Sequence, residues 1–210
     1  MNFIKPFLLL ILPLALAGCV SQLEEPAGPV VEDFEDVSDW KVIDTNGGTI
    51  NLESETSFDG NALNIALNGV RNRKKVILDK GFHKNNIEVN VMEDRVLGVF
   101  DVILLDENRQ FIAFFHNPSS MPILHYSDAE ALQTFRAEFE INKWYKLRIE
   151  KADQNHFNVY WMDENRNVIE QYLNRQTMNE WTEEITVRLW LDDQGSGPTN
   201  VYYDEMVLWN

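Results

Sequence analysis

The sequence predicts an all-β fold of two antiparallel sheets packed face to face, and three observations lead to it. Apolar and polar residues alternate with period 2 in segment after segment, the pattern of strands with one face toward a core. Gly, Asn, Asp and Pro cluster between those segments, where turns are needed. No strand-like segment alternates with a long amphipathic helix, which sets aside an α/β arrangement and leaves a two-sheet sandwich.

In chain order, the first element is a leader. Lys5 gives it a positive start, residues 7–16 form a short apolar run interrupted by Pro13, and Ala17 and Gly18 are small. That is the layout of a secretory signal, and the run is shorter than the roughly 20 residues a membrane span needs. It ends Leu16-Ala17-Gly18-Cys19, which resembles the lipobox of bacterial lipoproteins. The resemblance implies a signal peptide over 1–18, cleavage before Cys19, and acylation of its thiol, which anchors the chain to membrane lipid without a span. Val20, where an Asp would favour inner-membrane retention, points toward the outer membrane of a Gram-negative cell. Cys19 is the only cysteine of the 210 residues, so acylation leaves no thiol for a disulfide, a redox step or a nucleophile.

Residues 19–29 are polar, contain Pro26, Gly28 and Pro29, and read as a lipidated flexible tether. Residues 30–210 read as one β-sandwich domain, long enough for a sizeable core. No internal repeat is expected. Loss of Lys5 with the leader takes the net charge from −16 to about −17. That charge repels nucleic acid and anionic head groups, and disfavours polyanionic ligands unless a local basic site or a bridging cation exists.

The strands follow. Leu63, Ile65 and Leu67 share one face, as do Ile87, Val89 and Val91, with Glu88, Asn90 and Met92 pointing the other way. The same alternation puts Phe135, Ala137, Phe139 and Ile141, then Tyr145, Leu147 and Ile149, then Phe157, Val159 and Trp161, and finally Val187, Leu189 and Leu191 toward the core. VLGVFDVILL and FIAFFH are nearly continuous apolar runs, suited to central strands covered on both faces. Turns are expected at Asn46-Gly47-Gly48, Asp59-Gly60-Asn61, Asp106-Glu107-Asn108, Asp163-Glu164-Asn165 and Gly195-Ser196-Gly197-Pro198. Helical turns are expected at 128–133 and 177–181.

The order DFED…W, FDGNALNI, GVFDVILLDENRQFIAFF, INKWYKLRIEKADQNHFNVYWMDENRNVI and TVRLWLDDQGSGPTNVYYDEMVLW resembles the concanavalin A-like lectin/glucanase jelly roll. The Trp-Tyr-x-Leu-Arg-Ile strand leading into Phe-x-Val-Tyr is similar to its laminin-G-like branches. The resemblance spans about 30–209 and implies a sandwich with a concave, often glycan-binding or glycan-cleaving sheet. The galactose-binding-like jelly roll of many carbohydrate-binding modules shares the DFED…W opening and is the alternative fold.

Glucanases of that superfamily carry Glu-x-Asp-x-x-Glu on one strand, which supplies two carboxyl groups at retaining distance. The nearest stretch is Glu88-Val89-Asn90-Val91-Met92-Glu93, in which Asn90 replaces the central Asp, so no catalytic residue is assigned. The four histidines are dispersed, without zinc spacing. A binding site is easier to build from aromatic platforms and planar hydrogen-bonding side chains. Asp101, His116, Tyr126, Arg188 and Trp190 are the ligand-binding candidates, provided their strands are neighbours. The other reading pairs Asp101 with Arg188 structurally and packs Trp190 under a loop. The acidic residues near both ends of the domain suggest a structural calcium at Glu35 and Asp204, or merely a solvated acidic patch. The functional expectation is a membrane-anchored surface lipoprotein whose sandwich binds carbohydrate without cleaving it. The alternatives are a glycoside hydrolase or polysaccharide lyase with an atypical site, and an envelope lipoprotein that binds another protein.

Overall fold

The computed structural model describes residues 22–24, 28–45, 47–58, 60–67, 75–94, 98–116, 123–127, 132–193 and 198–210. The leader, Cys19 and the Gly195-Ser196-Gly197 turn lie outside them. The strands are β1 (Val30–Glu32), β2 (Lys41–Asp44), β3 (Gly48–Glu53), β4 (Ala62–Leu67), β5 (Lys75–Phe82), β6 (Asn86–Glu93), β7 (Gly98–Leu105) and β8 (Phe111–His116). They continue with β9 (Ile123–Ser127), β10 (Leu132–Glu138), β11 (Tyr145–Lys151), β12 (His156–Asp163), β13 (Val168–Gln176), β14 (Ile185–Asp193) and β15 (Thr199–Trp209).

All pairings between these strands are antiparallel, and the strands form two sheets. The eight-stranded sheet runs β13-β12-β11-β6-β15-β4-β3, with β1 also pairing β15. Beyond the irregularity between Asp204 and Val207, β15 exchanges β4 for β1, whose Val31 faces Val207. The seven-stranded sheet runs β10-β9-β8-β7-β14-β5-β2.

Most of the alternating residues meet between the sheets as expected; Ile141 is an exception, 46% exposed beyond the end of β10. Leu63, Ile65, Val89, Val91, Leu147 and Val159 from one sheet and Leu78, Phe100, Val102, Leu104, Val187 and Leu189 from the other belong to one buried cluster. Trp161 fills its middle, stacked on Tyr145 (4.9 Å) and Phe115 (5.6 Å). The continuous apolar run of β7 lies between β14 and β8, near the centre of its sheet.

The hairpin turns explain the register. Asp106 Oδ1 accepts the amides of Asn108 (2.8 Å) and Gln110 (2.7 Å), and Arg109 takes φ 64°. Asp163 Oδ1 does the same for Asn165 and Asn167 (both 2.9 Å), and Arg166 takes φ 62°. Both turns read Asp-Glu-Asn-Arg. An Asp side chain that caps its own turn, followed by a residue in the left-handed region, builds both.

Three expectations change. No described residue is helical: residues 128–131 lie outside the described ones, Leu132 and Gln133 belong to β10, and 177–181 contains a bend. There the amides of Thr177 and Trp181 donate to the oxygens of Asn155 and Gln154 across the β11–β12 turn, which competes with any local helical bond. The polar side of β6 is not solvated, since all eight of its residues are buried. Part of the tether is docked. Gln22 bridges to Asn167, its Nε2 donates to the oxygen of Asn165 (2.8 Å), and the Leu23 amide donates to the oxygen of Arg166 (3.3 Å).

Candidate functional site

The outer face of the seven-stranded sheet gathers most of the predicted residues. On β14, Val187, Leu189 and Leu191 fill the core, so Arg188, Trp190 and Asp192 take the opposite face. On β7, Phe100 and Val102 are core, so Asp101 takes the outer face too. In register, Trp190 lies opposite Ile77 and Asp101, Asp101 opposite His116, and His116 opposite His125. Trp190, Asp101 and His116 are thus consecutive positions of one row across three strands. His125 extends the row and was not foreseen, because which strands pair is not a local property. Tyr126 falls outside it. Its register partner is Phe115, so it stands one position along β9 from the row.

Asp101 is 5% exposed. Burial, with the charge of nearby Asp192 adding to it, pushes its carboxyl well above the usual carboxylate range. Its main-chain oxygen accepts a hydrogen bond from Tyr203 Oη (3.5 Å), which reaches across the core from β15. Trp190 is half-buried, with Lys75 Nζ 5.7 Å from its ring centroid. Its Nε1–H is buried without a hydrogen-bond acceptor among the described residues.

Arg188 does not pair with Asp101. Its Nε and Nη2 grip Asp79, at 2.7 and 3.0 Å. Register explains this choice, since Asp79 faces Arg188 directly whereas Asp101 faces Trp190. Arg109 folds back from the β7–β8 turn and donates to Asp79 Oδ2, the oxygen that Arg188 Nη2 also binds, completing a clamp of two guanidinium groups on one buried carboxylate. Neither Asp79 nor Arg109 stood out in the sequence. The signal that could have found the arginine is the repeated Asp-Glu-Asn-Arg.

The outer face of the eight-stranded sheet holds a second clamp. Glu88, 1% exposed, accepts from Arg148 Nε (2.7 Å) and Arg166 Nε (2.9 Å). Arg148 Nη2 also donates to the main-chain oxygen of Glu24 (2.8 Å), which pins the tether over this face. Beside it, Lys146 Nζ donates to Asn90 Oδ1 (2.6 Å) and lies 4.6 Å from the Phe58 ring centroid. Burial lowers the Lys146 pKa, against the attraction of Glu88 and Glu205.

The glucanase-like spacing Glu88–Glu93 cannot form a carboxyl pair. Glu88 lies opposite Arg148 on the outer face, whereas Glu93 lies opposite Val201, a core residue. An odd offset along an unbroken strand reverses the face.

Glu35 and Asp204 serve separate parts of one loop. Glu35 accepts from the amide (3.0 Å) and Nδ2 (2.5 Å) of Asn61, and Asp204 accepts from the amide of Phe58 (2.6 Å). Among the described residues, no group of three or more His, Cys, Asp and Glu side chains gathers as a metal ion would need.

No protein-family model matches the chain, and no curated protein sequence matches it. Solved structures do. A sialidase superposes with a TM-score of 0.63 at 13% identity over 87% of this chain, which spans 18% of the sialidase's length. A Crh5 transglycosylase solved in complex with NAG gives 0.59 at 12% identity over 88% of this chain and 84% of that one. A Bacillus licheniformis β-glucanase gives 0.57 at 10% identity over 89% of this chain and 100% of that one. At such identities the likeness is one of fold, and the fold is the concanavalin A-like jelly roll.

Proposed function

We propose that this chain is a lipid-anchored surface protein whose sandwich binds glycans without cleaving them. The observation that carries the binding reading is the row Trp190–Asp101–His116 across β14, β7 and β8. A half-buried indole beside polar positions is the usual construction of a sugar platform. The structures with this fold named above are called a sialidase, a transglycosylase and a β-glucanase, which supports carbohydrate as the ligand class.

The alternation of β7 supports binding over cleavage. Its outer positions are Val99, Asp101 and Ile103, one carboxyl between two aliphatic side chains. A retaining glycosidase needs two carboxyl groups about 5–5.5 Å apart. A hydrolytic reading draws on Asp192. Trp190 faces Asp101 and Asp192 faces Val99, so Asp101 and Asp192 are diagonal neighbours. A buried carboxyl with a raised pKa beside one in a more open position is the division of labour acid–base cleavage uses.

The test is a glycan array with protein beginning after Cys19, followed by reducing-sugar assays on each glycan bound. Trp190→Ala should abolish binding while melting within a few degrees of the wild type. Binding to no glycan would overturn the reading, and sugar release lost in Asp192→Asn would replace it with the hydrolytic one. The anchor is tested separately: Cys19→Ala should abolish incorporation of labelled fatty acid, and equal incorporation would remove the anchoring claim.

A further inference from the structure

The two clamps share one construction, but their surroundings differ. In each, a buried carboxylate is held between a strand arginine and the arginine that ends an Asp-Glu-Asn-Arg turn: Glu88 with Arg148 and Arg166, Asp79 with Arg188 and Arg109. On the eight-stranded sheet, Arg148 also donates to Glu150 (3.3 Å) and to the main-chain oxygen of Glu24 (2.8 Å). The chain's own carboxylate and tether thus occupy that guanidinium. On the seven-stranded sheet, the acceptor that Arg188 and Arg109 share is Asp79, and among the described residues neither has a second acidic partner.

Two guanidinium groups against one carboxylate leave one positive charge in excess, on a chain whose net charge is −16. Arg188 spends Nε and Nη2 on Asp79 and keeps Nη1, while the Arg109 side chain is 46% exposed and spends Nη2 alone. Trp190 lies two residues from Arg188 on the same face, about 7 Å along the strand. On the far side of Trp190, Asp192 faces Lys75 in register, and Lys75 is itself paired with Asp44 (3.3 Å). The surplus positive charge therefore lies at the Arg188 end of the aromatic platform.

We infer that the Arg188–Asp79–Arg109 clamp receives a carboxylate of the ligand, so that the glycan held on Trp190 is an acidic one, built from uronic-acid-type sugars. The inference rests on the glycan-binding reading and narrows it. A planar, permanently charged guanidinium with free N–H groups suits a carboxylate through charge-assisted bonds. Asp79 holds both arginines in place, which limits the entropy lost when the ligand binds.

The experiment compares an oligouronide with the same oligosaccharide after its carboxyl groups are reduced to hydroxymethyl, by calorimetry at two salt concentrations. The wild type should favour the oligouronide by on the order of tenfold or more, the scale of a charge-assisted hydrogen bond, and should lose that preference as salt rises. Arg109→Gln, which leaves Arg188 on Asp79, should lose most of the preference and retain affinity for the reduced sugar. Equal affinity for both sugars in the wild type, or an unchanged preference in Arg109→Gln, overturns the carboxylate clamp while the platform on Trp190 stands. Binding of neither sugar, with no glycan bound on the array, overturns both.

Discussion

Two buried acids are the residues whose removal is most informative, and they act in opposite senses. Glu88 is matched to two guanidinium groups, so Glu88→Gln would bury positive charge without its counterpart. A loss of about 3–5 kcal/mol in urea unfolding is expected. Burial, with the charge of Asp192 adding to it, raises the pKa of Asp101 well above its ordinary value. Its carboxyl binds protons more tightly folded than unfolded, so its contribution to stability is fullest below the unfolded value of 3.8 and declines as pH rises through the folded one. Asp101→Asn keeps the shape and cannot ionise. It should melt a few degrees above the wild type at pH 7, since about 1 kcal/mol moves a domain of this size by about 2–4 °C, and the difference should vanish near pH 3. A wild type that gains stability between pH 4 and 7 relative to the Asn variant would contradict this assignment. Neither behaviour is legible in the sequence. Glu88 and Arg148 are 60 positions apart, Asp79 and Arg188 are 109 apart, and nothing local to either residue names its partner.

At the scale of elements, period 2 located the strands well because each has one face in a common core. It misread their outer faces. Polar residues of β6 and β11 alternate as solvated ones would, yet Glu88, Asn90, Lys146 and Arg148 are buried. They pair with one another beneath the tether and the Phe58 loop. Alternation reports that two faces differ and is silent on what covers the second. Spacing also misled at Glu88–Glu93, where an odd offset places the two carboxyls on opposite faces of β6. The close approach of β3 to its neighbours gives a sharp test. A Cβ on Gly48 would stand 2.2 Å from Val76 Cγ2, 2.8 Å from Leu67 Cδ2 and 2.9 Å from the oxygen of Ala66. Gly48→Ala must push β3 away from the sheet, with a loss of about 1–3 kcal/mol expected from denaturant titration. An unchanged midpoint would show that β3 yields freely.

At the scale of the whole molecule, the docked tether matters most. Residues 22–24 complete the hydrogen bonding of the β12–β13 turn and of Arg148, so the folded unit extends ahead of β1. A chain starting at residue 28 leaves the buried Arg148 without one acceptor. It should melt several degrees below a chain starting at residue 20, consistent with about 1–3 kcal/mol for an unsatisfied buried donor; equal melting would mean the docking contributes nothing. By itself, the sequence determined the two-sheet sandwich, the core face of β4, β6, β11, β12 and β14, the Asp turns, and the lipobox-like Leu16-Ala17-Gly18-Cys19. All of these are properties of a few consecutive residues, set by the pleat, by side-chain-to-backbone bonds and by composition. Tertiary structure alone decided that Trp190, Asp101 and His116 share a row and Tyr126 does not. It also decided that Arg188 turns to Asp79 and that a repeated turn places one arginine over each sheet. Those outcomes depend on which distant strands pair and in what register, and a shift of one residue would have reversed every one of them.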